Sequence, residues 1–197
     1  MLFKEPINLN LKDGDVVYYP AFFNEELSNY YFQTLLNSIE WQQDAITLFG
    51  KTHLQPRLTA LYANNNLPYS YSNIIMYPKT FTQELLKIKE TIENKLQLNF
   101  SSCLANLYRN GQDSNGWHAD DEKELGQQPI IASVTLGAER IFHFKHKYEP
   151  IHKTKIILQN GSLLVMKGNT QQYYLHQLPK TNKDIGERIN LTFRMIT

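Results

Sequence analysis

Only one cysteine, Cys103, occurs in the 197 residues, which excludes an internal disulfide framework and a cysteine-rich zinc module. Nor does charge of one sign dominate. Twenty Lys and Arg against 19 Asp and Glu leave a net charge of +1, so the chain is neither a histone-like cation nor a disordered acidic tail. No apolar run reaches the roughly 20 residues of a membrane-spanning helix, and Lys4, Glu5 and Pro6 stand where a secretion signal would need its apolar stretch. Internal repeats, low-complexity tracts and Ser/Gly linkers are missing. So are a Gly-rich phosphate loop, G-x-S-x-G and H-E-x-x-H, which removes the commonest nucleotide-binding and hydrolase chemistries. The expectation is a soluble, intracellular protein made of one compact unit.

With 42% hydrophobic and 12% aromatic residues, the chain is long enough to bury a substantial core. Its charge is unevenly placed. Residues 1–50 hold two basic and seven acidic side chains, whereas 140–155 hold Arg140, Lys145, Lys147, Lys153 and Lys155 against Glu149 alone. That basic stretch is a candidate phosphate-facing surface. Leu27, Tyr31, Leu35 and Ile39 recur at helical spacing after an Asn24 cap. Phe81, Leu85, Ile88, Ile92 and Leu96 do so after Thr80. From Ser101 onward the pattern changes to short runs bounded by turn residues, at 102–108, 130–136, 140–145, 154–159, 162–166, 171–176 and 187–196. Such a series of short strands predicts a mainly β member of the α+β class, a sandwich or jelly roll with flanking helices.

Polar residues interrupt these strands in an ordered way. In 187–196, Ile189, Leu191, Phe193 and Met195 share one face, while Arg188, Asn190, Thr192 and Arg194 share the other. An edge strand with one wet face would read the same way. The functional alternative is an anion site, because guanidinium forks grip carboxylates bidentately. His118 and Asp120 also point the same way in extended chain, and a lone His176 ends a later strand-like run. Two histidines and one carboxylate on one face form a facial triad with open positions for non-haem Fe(II), a co-substrate and oxygen. The rival set His143, His146 and His152 reads as surface or phosphate-contact histidines, since 143 and 146 fall on opposite strand faces and no Cys completes a zinc site.

H-x-D, a distant His and then R-x5-R in a jelly-roll-like chain resemble the iron(II)- and 2-oxoglutarate-dependent dioxygenases, in particular the AlkB family of nucleic-acid dealkylases. The match runs through 106–111, 117–122, 131–137, 176–179 and 188–194. Within that family the chain looks most like the branch acting on double-stranded DNA, through 48–51 and 67–72. The resemblance implies a double-stranded β-helix, with 101–197 as catalytic core and 1–100 as an N-terminal extension carrying a nucleotide-recognition lid and supporting helices. It implies that His118, Asp120 and His176 bind Fe(II). Arg188 would pair with the distal carboxylate of 2-oxoglutarate, helped by Tyr108. Asn106 and Arg194 would hold the other end, with Asn190 and Thr192 lining the pocket. Asn106 and Tyr108 are themselves two apart, so a polar pair again shares one side of an apolar strand.

By the same resemblance, the iron-centred chemistry needs no separate protein acid or base. With 2-oxoglutarate and O2 it hydroxylates an N-alkyl carbon of a 1-methyladenine or 3-methylcytosine type base in DNA, releasing formaldehyde and succinate. A base in a duplex must be flipped out to reach it. Phe49, followed by Gly50, looks like an intercalating finger, and an ordinary core phenylalanine is the plain alternative. Tyr69, Tyr71 and Ser72 resemble a base-pocket lid. Asp121 and Glu122 are candidates for substrate contact or for a solvated acidic run. RNA demethylation by the same chemistry and a non-enzymatic cupin-like metal-binding module are the rival readings. The expectation is a monomer with no membrane partner, at the nucleoid in a bacterial cytoplasm or in a eukaryotic nucleus.

Overall fold

The structure, a computed structural model, describes residues 5–48, 51–65, 69–71 and 74–196. Its first part contains β1 (Ile7–Asn8), β2 (Asp15–Tyr19), α1 (Glu25–Ser38), β3 (Ala45–Leu48), β4 (Lys51–Leu54), β5 (Leu58–Ala63), β6 (Tyr69–Tyr71), β7 (Ile74–Met76) and α2 (Gln83–Leu96). There follow β8 (Ser102–Tyr108), β9 (Asn115–His118), β10 (Ile131–Gly137), β11 (Arg140–His146), β12 (Lys153–Leu158), β13 (Ser162–Lys167), the helical turn α3 (Thr170–Tyr173), β14 (Tyr174–Leu178) and β15 (Arg188–Arg194).

Both long helices start where a side chain satisfies a free backbone N–H. Asn24 Oδ1 accepts from Leu27 N at 2.8 Å, and Glu25 and Glu26 in the first turn complement the helix dipole. For α2 the cap is Thr82 rather than Thr80, its Oγ1 accepting from Leu85 N at 3.3 Å. The buried stripe of α1 runs through Ser28, Tyr31, Leu35 and then Ile39, whereas Leu27 is exposed.

Seven strands form the larger sheet in the order β1-β2-β13-β10-β15-β8-β5, and four form the smaller, β12-β11-β14-β9. Their ladders are antiparallel throughout. Two such sheets facing each other make the jelly roll expected from the run of short strands. The larger sheet also takes β1, β2 and β5 from the first hundred residues. The segment 171–176 does not form one strand: residues 170–173 make a helical turn, and the strand is 174–178.

The core has two layers. Tyr31, Leu35, Leu85, Ile88 and Ile92 of the helices pack on Ala105, Val134, Ile189, Leu191 and Phe193 of the larger sheet. Between the sheets lie Val16, Leu104, Leu164, Phe144 and Tyr174. β15 is therefore a central strand between β10 and β8, and the wet edge-strand alternative does not hold. Its apolar face meets the helices, while its polar face is buried between the sheets. Among the described residues no helix is long and apolar enough to cross a membrane.

Candidate metal and co-substrate site

One cavity between the sheets is lined by Asn106, Tyr108, His118, Asp120, His176, Arg188, Asn190, Thr192 and Arg194, all expected from the sequence. Register explains the convergence. His118 on β9 and His176 on β14 are cross-strand partners, and their ring centroids lie 4.3 Å apart. Asp120 follows two residues after His118. Each histidine Nε2 lies 4.0 Å from an Asp120 oxygen, and one donor atom from each of the three residues falls within 4.8 Å of the others.

The protonation states suit a metal. His118 Nδ1 lies 2.8 Å from the Gly116 carbonyl, which only accepts, so Nδ1 carries the proton and Nε2 is the acceptor, taking a hydrogen bond from Asn115 Nδ2 at 3.2 Å that a metal ion would replace. Burial, reinforced by neighbouring His118, pushes His176 down to about 3, so it stays neutral. Burial lowers His118 as well, against the pull of Asp120. For Asp120, burial acts upward, but the Arg194 guanidinium opposes it by charge and by hydrogen bond, and the carboxyl lies below its ordinary range. Two neutral imidazoles and one carboxylate match the donor set of non-haem Fe(II) sites, with positions left for other ligands.

Neighbouring groups hold the donors in place. Asp120 N donates to Gln171 Oε1 at 2.9 Å, and Phe142 stacks on His176 at 5.4 Å between centroids. Arg194 Nη2 donates to Asp120 Oδ1 at 2.7 Å. In this structure Arg194 thus grips the carboxylate of the triad as well as lining the cavity.

Across the cavity, Arg188 is only 2% exposed and its Nη2 donates to Thr135 Oγ1 at 2.8 Å. Its guanidinium lies 5.2 Å from the Tyr108 ring centroid. Burial depresses Arg188 to about 10, with Tyr108 opposing and Arg140 adding to the fall. Among the described residues no carboxylate pairs with it. A buried cation without an anionic partner is costly, and the carboxylate of a small diacid would supply one. Asn106, Asn190 and Thr192 form a connected polar floor: Thr192 Oγ1 donates to Asn190 Oδ1 at 3.0 Å, and Asn190 Nδ2 donates to Ser133 Oγ at 2.8 Å.

Several contributors were not foreseen. Ser133 and Thr135 alternate with Ala132, Val134 and Leu136 on β10, the same period-two signal that marks β15. Arg57, whose Nε donates to Asn106 Oδ1 at 2.9 Å, and Gln171 stand in no comparable pattern.

The substrate candidates are less gathered. Asp121 is exposed and pairs with Lys147 at 3.2 Å, and neither it nor Glu122 lines the cavity. Burial and the Asp120 carboxylate push the Glu122 carboxyl up. Tyr69 and Tyr71 fall on β6, paired with β7. Phe49, Gly50 and Ser72 lie outside the described residues.

The basic stretch divides. On β11, Ile141, His143 and Lys145 alternate with Phe142 and Phe144, and Lys145 Nζ sits 4.3 Å over the exposed Trp117 ring. Lys153 and Lys155 pair beside Lys145 and His143 on β12. Lys147 is instead held by Asp121 and by the Gln171 carbonyl at 2.8 Å. Arg140 and His146 are buried, which corrects their reading as phosphate-facing and surface groups. The ligand atoms of Asp13, His146 and Glu149 also come within 4.8 Å of one another. Yet His146 Nδ1 accepts from Tyr148 N and Glu149 N at 3.2 and 3.0 Å, so its proton sits on Nε2, facing Asp13 at 3.5 Å. No lone pair remains there for a metal.

The chain matches the 2OG-Fe(II) oxygenase superfamily over residues 15–194. It is 39% identical over 190 residues to the Homo sapiens alpha-ketoglutarate-dependent dioxygenase alkB homolog 3, covering 92% of this chain and 66% of that protein. It is 35% identical over 188 residues to the Homo sapiens DNA oxidative demethylase ALKBH2, covering 90% of this chain and 72% of that protein. The solved structure of OsALKBH1 shares the fold, with a TM-score of 0.69 at 13% identity over 97% of this chain and 100% of that one. The chain therefore belongs to the 2OG-Fe(II) oxygenase superfamily and, within it, to the AlkB homologues. It spans about two thirds of the length of the homolog 3 relatives, 66% of the human and 64% of the Bos taurus protein.

Proposed function

We propose that this chain is an Fe(II)- and 2-oxoglutarate-dependent dioxygenase that removes alkyl groups from the nitrogens of DNA bases, of the 1-methyladenine and 3-methylcytosine type. The observation carrying this reading is that the His118–Asp120–His176 donor set and the buried Arg188, which has no carboxylate partner among the described residues, line one cavity. The relatives' names, a dioxygenase and a DNA oxidative demethylase, supply the reaction class and the substrate.

Iron with 2-oxoglutarate and O2 would supply oxidation of the N-alkyl carbon, after which the hydroxyalkyl adduct falls apart to an aldehyde and the restored base. His118, Asp120 and His176 would hold the iron. Arg188 with Tyr108 would bind the distal carboxylate of 2-oxoglutarate, and Asn106, Asn190, Thr192 and Arg194 would fix its orientation. Burial between two sheets keeps water from competing for these donors and strengthens each charged contact.

The target base enters from a duplex by flipping. In this reading Phe49, beside Gly50, fills the emptied stack, while Tyr69, Tyr71 and Ser72 cover the base. Asp121 and Glu122, which follow the metal ligand Asp120 in sequence, would contact the substrate. The decisive assay is product analysis on methylated single-stranded DNA, duplex DNA and RNA, with and without iron and 2-oxoglutarate, for the wild-type chain and Phe49→Ala. Unstacking costs a few kcal/mol only in a duplex. Phe49→Ala is therefore expected to depress duplex repair much more than single-strand repair. Equal losses on both would remove the wedge role, and turnover of RNA alone would overturn the DNA assignment.

A further inference from the structure

Arg140 sits in the basic run of the sequence, yet it is 3% exposed and makes no contact suited to a phosphate. Its Nη2 donates to the carbonyls of Pro179 at 2.6 Å and Asp113 at 3.0 Å, and its Nη1 donates to the carbonyl of Asn110 at 3.3 Å. Those carbonyls belong to two separate segments. Residues 109–114 link Tyr108 at the end of β8 to β9, and residues 179–187 link β14 to Arg188 at the start of β15. The segments also touch directly. Thr181 N donates to the Gly111 carbonyl at 2.8 Å, and a Cβ at Gly111 would fall 2.5 Å from the Thr181 carbonyl oxygen.

The same guanidinium lies 5.9 Å from the Tyr108 ring centroid, and Arg188 lies 5.2 Å from that centroid. Tyr108 and Arg188 are cross-strand partners lining the cavity, while Arg140 does not line it. Asp113 does not neutralise Arg140 in a direct pair, because both its carboxylate oxygens are taken by Arg109, at 2.7 and 2.9 Å. Arg140 thus braces one ring through a cation–π contact and pins the chain on either side of the Tyr108–Arg188 pair.

We propose that Arg140 is a positioning residue for the co-substrate, setting the Tyr108 ring and the first residue of β15 so that the Arg188 fork faces the distal carboxylate of 2-oxoglutarate. The inference rests on the reading that Tyr108 and Arg188 hold that carboxylate. A bare loop clasp would govern the stability of the free protein and leave the affinity for 2-oxoglutarate intact.

The test is Arg140→Lys, which keeps the charge but cannot reach three carbonyls and stack on a ring at once. Calorimetric titration of 2-oxoglutarate into the Mn(II)-loaded variant should show binding weakened about tenfold. In turnover, KM for 2-oxoglutarate should rise while KM for methylated DNA stays. In a Tyr108→Leu background, where the ring is gone, adding Arg140→Lys should cost less than about twofold. Equal penalties in both backgrounds, or weakened DNA binding with unchanged 2-oxoglutarate affinity, would overturn the inference. Arg188→Lys separates it from its premise. If that variant binds 2-oxoglutarate normally, the carboxylate assignment fails. If it binds weakly while Arg140→Lys binds normally, only the positioning role fails. Should Arg140→Lys not fold, wild-type hydrogen exchange decides: adding 2-oxoglutarate should slow exchange in 109–114 and 179–187, and unchanged exchange there contradicts the proposal.

Discussion

Arg194 shows how much of the site depends on residues beside the metal donors. Its 2.7 Å contact with Asp120 Oδ1, both side chains buried, fixes the carboxylate and keeps it ionised. Partners of this kind typically change metal affinity by 10- to 100-fold. Arg194→Gln is expected to weaken iron binding by about that factor, read by competition with a chelator. An iron affinity within about twofold of wild type would leave Arg194 as a co-substrate contact alone. At this scale the sequence was informative where polarity broke an apolar alternation: Arg188, Asn190, Thr192 and Arg194 on one strand, Asn106 and Tyr108 on another. It was silent on Arg57 and Gln171, which reach the site from a loop and a helical turn with no periodicity to betray them. Arg140 misled because its sequence neighbours are basic, whereas its own side chain turns inward at the first position of β11.

At the scale of elements, β15 is the member that both builds the core and carries the site. Phe193 is fully buried against the helices, while Thr192 and Arg194 beside it face the cavity. Phe193→Ala should cost about 3–5 kcal/mol, read from denaturant unfolding. A loss under about 1 kcal/mol would mean that the helices are not packed on that face. The alternation of β15 was legible from its residues, but its central place was not, because both an edge strand and a buried strand lining a polar cavity show period two. The swap of Thr80 for Thr82 as the α2 cap is of the same kind, since either hydroxyl fits the pattern and only tertiary packing decides. The helical turn at 170–173 has no signature of its own in the sequence, because Gln171-Gln172-Tyr173-Tyr174-Leu175 also suits a strand, and the turn brings Gln171 to Asp120.

For the whole molecule, the jelly roll could be anticipated from short strands after Ser101, but the entry of β1, β2 and β5 into the larger sheet could not, because pairing partners distant in sequence leave no local signal. The outer face of the smaller sheet presents Lys145, Lys153 and Lys155 near Trp117 and His143. If DNA phosphates lie there, Lys153→Gln with Lys155→Gln should weaken binding irrespective of sequence and reduce the salt slope by roughly one unit per lost contact. An unchanged slope would put the backbone on another face. The central claim is that one cavity holds iron at His118, Asp120 and His176 and 2-oxoglutarate at Arg188. It is tested most directly by anaerobic titration of the chain with Fe(II) and 2-oxoglutarate, following the visible charge-transfer band that a 2-oxo acid gives on chelating Fe(II). The account predicts a saturable band at one equivalent of each in the wild type, no band in Asp120→Ala, and a band in Arg188→Lys that needs about 10- to 100-fold more 2-oxoglutarate. A band of wild-type strength and affinity in both variants would contradict it.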